Sequence, residues 1–186
     1  MKIRNVSLTI LVAVSLTSCA SWRPRTSAEP ARPNDANIAA IVLAANRVDI
    51  LYATLAKQKS RNPEVLAFAT LTFDDHTALT AAVTRLAARL ALTPIENVTS
   101  LDIRDDGDEK RETLRLLDGV AFDSAYFAIE FAYHERVWDL IEKSLIPSAS
   151  HPELKALLLQ AQPTLGAHKG HAMQHQVRRP DAALLK

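Results

Sequence analysis

A single cysteine in 186 residues excludes a fold held by internal disulfides, so stability has to come from a packed core. With 4 glycines and aromatics at 5%, the chain is also poor in the residues that build tight turns and sheets, while Ala and Leu are abundant. An all-helical protein without sheet is expected. Charge of one sign is missing too. The formal net charge is +1, and a leader carrying Lys2 and Arg4 takes two of the 22 basic residues with it, leaving 20 against 21 acidic ones. A near-neutral domain lacks the basic surface that phosphate binding needs, so nucleic acid is excluded as a partner. There is no Gly-rich phosphate loop, and Ser, Thr and the lone Cys form no nucleophile–base arrangement. At 48% hydrophobic and mean hydropathy −0.02, what remains is one ordinary domain with an appendage.

The appendage comes first. Residues 1–18 open with Lys2 and Arg4, continue through the apolar stretch Val6 to Leu16, and end in small residues, the plan of a secretory signal too short to span a bilayer. Leu16-Thr17-Ser18-Cys19 then resembles the bacterial lipobox, in which cleavage before the cysteine leaves it acylated. This implies a membrane partner through a lipid anchor on Cys19. Ala20 rather than Asp follows, which by resemblance to lipoprotein sorting implies the outer membrane, facing the periplasm. Residues 19–34, with Pro24, Pro30 and Pro33, read as a tether reaching about 45 Å at roughly 3.1 Å per residue.

Residues 35–176 show helical periodicity and 177–186 a patternless tail. The densest apolar run, Phe122 to Ile141, places Phe122, Tyr126, Ile129, Tyr133, Val137 and Leu140 on one wide stripe. A first helix is expected from Asn34 or Asp35 to about Lys59, and a second from Asn62 and Pro63 to about Leu92. Residues 93–107, with Asp102, Asp105 and Asp106 near their end, read as a solvated acidic connection. They miss the calcium-loop pattern because Arg104 and Thr113 stand where ligands belong. Asp108 to Leu117 reads as helical and leads into a long third helix past a bend at Gly119, ending near Ser144. A fourth is expected behind a Ser150–Glu153 capping box, kinked at Pro163. Four such helices with mostly short connections predict an antiparallel four-helix bundle.

Phe68 with Asp75-His76, the run Gly119 to Tyr126 followed by His134, and Pro163 with His168 resemble a family of bacterial envelope proteins, the domain of unknown function numbered 4142. The resemblance covers about Asp35 to Gln174. It implies a ferritin-like helical bundle in the cell envelope, and it implies no reaction.

Each helix sets an ionisable residue on or beside its apolar stripe: Asp49, His76, Glu130 with His134, and His168, with Asp123 two turns before Glu130. Buried charges cost several kcal/mol each unless paired or bound to metal, so these residues are expected to meet in one buried polar centre. His76, Glu130, His134 and His168 are candidate ligands for zinc, iron or copper. The di-iron pattern needs Glu-x-x-His, and Glu130-x-x-x-His134 does not supply it. His168, His171 and His175 form a second candidate set at helical spacing. Two readings follow: a non-catalytic binding or scaffold lipoprotein with a protein partner, and a mononuclear metal-binding or metal-dependent one.

Overall fold

The computed structural model describes residues 32–177, so the expected leader, Cys19, the tether before residue 32 and the tail from residue 178 lie outside the described residues. Every regular element among the described residues is helical: α1 (Asp35–Lys59), α2 (Pro63–Arg89), α3 (Val98–Arg115), α4 (Gly119–Leu140), the three-residue α5 (Ile146–Ser148) and α6 (Pro152–Val177), with a π-helical turn at Ile141–Leu145. The domain is an all-α helical bundle.

Local signals set the ends. Asn34 caps α1 by accepting from the Asn37 amide at 2.9 Å, while the Asn37 side chain returns the bond. Asn62 accepts from the Glu64 amide, and Pro63 stands in the first turn, where its missing N–H leaves no bond unmade. Before Pro147 the helix shifts register, with the Ile146 N–H donating to the Ile141 carbonyl. α6 runs unbroken through Pro163.

Two expectations are corrected. The acidic stretch from Asp102 to Gly107 is helical, not a loop. α3 starts at a reciprocal Asn97–Ser100 cap and carries internal ion pairs such as Arg111–Asp108 at 3.1 Å. It stops at Arg115, and α4 begins anew at Gly119, whose φ of +56° is the left-handed conformation that glycine adopts without strain. Nor does Ser150–Glu153 form a capping box. The Ser150 and His151 amides donate to Asp35 at 2.9 and 3.0 Å, and Glu153 pairs instead with Arg89. Asp35 thereby joins the start of α1 to the start of α6.

α1 is rich in alanine and packs along α2 and α3, while α4 packs along α6. Phe68, Tyr52, Phe122 and Tyr126 are fully buried between them, with Phe68 edge-on to Tyr126 and Tyr52 edge-on to Tyr133. Each such side chain contributes about 1.5–3 kcal/mol by leaving water, so the apolar stripes alone supply a core. α1 is long and apolar enough to cross a membrane, but 67% of its apolar window is buried inside the bundle. Its hydrophobicity serves the core.

Candidate metal centre

In the middle of that core sits a group of polar residues that the helices bring in by periodicity. Asn46 and Asp49 lie one turn apart on α1, His76 occupies the core stripe of α2, and Glu130 and His134 lie one turn apart on α4. α6 adds His168. All six are at most 2% exposed.

The three histidines form a triangle, with ring centroids 5.6 Å (His76–His134), 5.4 Å (His76–His168) and 5.2 Å (His134–His168) apart. One ring nitrogen of each is held from outside. His76 Nδ1 meets Asn46 Oδ1, His134 Nδ1 meets the Glu130 carbonyl, and His168 Nε2 meets Asp75 Oδ2, each at 2.9 Å. The opposite nitrogens, His76 Nε2, His134 Nε2 and His168 Nδ1, are buried and make no hydrogen bond among the described residues. Asp49 Oδ1 and both carboxylate oxygens of Glu130 share that condition.

Asp49 faces two of the unbonded nitrogens, with Oδ2 3.4 Å from His76 Nε2 and Oδ1 3.8 Å from His134 Nε2. Glu130 Oε2 is 3.3 Å from His134 Nδ1. Two sets of three offer ligand atoms within 4.8 Å of one another, His76 with His134 and His168, and Asp49 with Glu130 and His134. They share His134.

The electrostatics follow from burial and from these neighbours. Burial alone would hold His134 neutral, but the carboxylates of Asp49 and Glu130 outweigh it and raise its pKa to about 9. His76 is pushed well below its ordinary value by burial, and then by His134 and His168. His168 is lowered by burial and His134, against the pull of Asp75. Burial raises Asp49, with the nearby Glu130 adding to the rise. Around them the phenols of Tyr52, Tyr126 and Tyr133 are raised as well, first by burial and then by these carboxylates. The result is a buried, proton-holding centre built from four helices.

Of the residues singled out in the sequence, Asp49, His76, Glu130, His134 and His168 are gathered here. Asp123 is not. It sits two turns, roughly 10 Å, earlier on α4, where it accepts from Ser60 Oγ at 2.6 Å and fastens the α1–α2 connection. The second set separates as well: His168 turns inward, while His171 and His175 pair with each other. Asn46 and the role of Asp75 escaped the sequence reading. Asn46 is legible only as a polar residue three before Asp49 on the same face, and Asp75 only as the half-buried neighbour of His76.

Two openings adjoin the centre. An enclosed cavity of about 20 Å³, room for one water-sized group, is lined by Asn46, Asp49 and His76 against apolar side chains. On the surface, a groove of about 300 Å³ between α2 and α6, edged by Asp75, Ala78, Gln160 and Thr164, reaches His76.

The family model described as Domain of unknown function (DUF4142) matches residues 21–175. No curated protein and no solved structure matches the chain.

Proposed function

The chain belongs to the DUF4142 family, and from that premise and the buried centre we propose that it is a metal-binding protein of the bacterial cell envelope. In this reading it is lipid-anchored through Cys19 at the outer membrane and faces the periplasm. It holds one transition-metal ion through His76, His134 and His168, with Asp49 as the carboxylate donor and Glu130 beside it. We read α1, α2, α4 and α6 as an antiparallel, ferritin-like four-helix bundle kinked at Pro163. The three-residue α1–α2 connection and the core shared by these helices support that arrangement.

One observation carries the metal reading. Each of the three imidazoles has one nitrogen fixed by an outer acceptor while its other nitrogen lies buried and unbonded near the other two. Metal-bound histidines are oriented in this way, the outer partner selecting the tautomer that presents a lone pair to the ion. A metal-free network would instead join those nitrogens to one another, since an unmade buried hydrogen bond costs about 1–3 kcal/mol. The spacing also fits. Ligands at roughly 2.0–2.2 Å from a tetrahedral ion stand about 3.3–3.6 Å apart, and Asp49 lies 3.4 and 3.8 Å from the two nitrogens it faces. Neutral imidazoles with a carboxylate suit zinc, iron or copper.

A second reading, a non-catalytic binding or scaffold bundle whose polar residues only pair with one another, is favoured by the place of His134 between Asp49 and Glu130. Metal analysis of the chain purified without an affinity tag separates the two. We expect about one equivalent of metal to copurify at the buried centre of the parent, and that equivalent to be lost in His76→Ala and His134→Leu at near-native helicity. A parent that carries no metal and takes up neither zinc, iron nor copper sinks the metal reading. For the anchor, Cys19→Ala is expected to leave the membrane fraction. Unchanged fractionation would reject lipidation.

A further inference from the structure

We propose that His171 and His175, near the C-terminal end of α6, form a second site for a divalent transition-metal ion, open to solvent and independent of the buried centre. Their Nε2 atoms lie 3.1 Å apart. Two ligands bonded to one ion at roughly 2.0–2.2 Å stand about 2.8 Å apart at a right angle and about 3.6 Å at the tetrahedral angle, so the pair is already spaced to chelate. The spacing of four residues puts both rings on one face of the helix.

The rings are held for this. His175 Nδ1 lies 3.1 Å from Glu64 Oε2 on α2, so the carboxylate stands beside one ring nitrogen while the other, Nε2, faces His171. Phe127 stacks on His175 at 4.4 Å, and Phe68 stacks on His171 at 4.8 Å. Both ring planes are thereby fixed by side chains of α2 and α4, while the nitrogen edges stay at the rim of the bundle. The His175 side chain is 11% exposed and Glu64 is 50% exposed, so an ion arrives from water without passing through the core.

The contact between the two rings is one hydrogen bond, in which one Nε2–H donates to the other Nε2. An ion takes the place of that proton, the donating ring changing to the tautomer protonated on Nδ1. Both imidazoles stay neutral and each turns one lone pair to the metal. Water fills the remaining positions, as expected of a site with two protein ligands.

The test is a calorimetric titration of the full chain, made without an affinity tag, with zinc alone. The parent is expected to bind two equivalents, one at each centre. His171→Gln and His175→Gln should each lose one equivalent with an unchanged far-ultraviolet spectrum, since neither ring lies in the buried triangle. Glu64→Gln should keep the stoichiometry and weaken that one class about tenfold or more. If His171→Gln and His175→Gln both titrate like the parent, or if the parent binds no zinc, the proposal is overturned. If the parent binds a single equivalent that His175→Gln removes and His76→Ala keeps, the surface site stands and the buried metal reading falls.

Discussion

His134 carries the tension of the centre, because a buried imidazole at about pKa 9 exists as a cation only while Asp49 and Glu130 stay beside it. Its pKa is raised in the folded chain above the unfolded value near 6.5. The stability it contributes is therefore fully present below about pH 6.5 and is lost as pH rises through about 9, a change on the order of 3 kcal/mol. His76 and His168 work the other way. Their pKa values are depressed, so their contribution is present above about pH 6.5 and is lost as pH falls through their folded values. In the presence of chelator, the melting temperature should therefore fall between pH 6.5 and 9.5, and His134→Gln should flatten that alkaline limb. A parent whose melting temperature is level across the window would contradict this electrostatic account. At this scale the sequence was legible where periodicity sufficed. Asp49, His76, Glu130, His134 and His168 sit at core positions of their helices and are found that way. The outer acceptors were not, because Asp75 lies beside the core stripe and Asn46 is uncharged; only the packing of α2 against α6 and of α1 against α2 makes either one a partner.

α3 shows how an element hides. Its aspartates and Gly107 suggest a loop, yet Ser100, Ile103, Gly107 and Leu114 fall on one buried face and its charges pair along the outer face. Too few large apolar residues mark that face for a hydrophobic pattern to register. The glycine is the reason the helix fits. A Cβ at residue 107 would stand 2.5 and 2.8 Å from the two γ-methyls of Val48, so α3 lies against α1 only where there is no side chain. Gly107→Ala gains up to about 1 kcal/mol of helix propensity but overpacks a branched, buried neighbour, which costs typically 1–3 kcal/mol. We expect net destabilisation of about 1–2 kcal/mol by chemical denaturation, and its recovery in part when Val48→Ala is added. A stabilised single variant would mean that α3 shifts away from α1 freely.

For the whole molecule, the apolar stripes carry the fold and the polar centre is set inside it. With Phe68, Tyr52, Phe122, Tyr126 and the leucines of α6 buried around it, the bundle is expected to keep its helicity when metal is removed. A far-ultraviolet spectrum in chelator that loses most of its helical signal would make the ion structural instead. The all-helical class was legible from composition, and the family from a few motifs. The first half of α3 and the separate start of α4 at Gly119 were not, since both depend on how α3 docks. The centre also has a history. Its histidines come from three different helices, and the bonds that fix them join residues 30 apart in the chain for Asn46 with His76 and 93 apart for Asp75 with His168. No hairpin or fragment contains the set, so the triangle of imidazoles is complete only once α6 has docked. If the metal reading holds, the ion in the centre would be selected by the metals present where folding ends, and not by affinity alone.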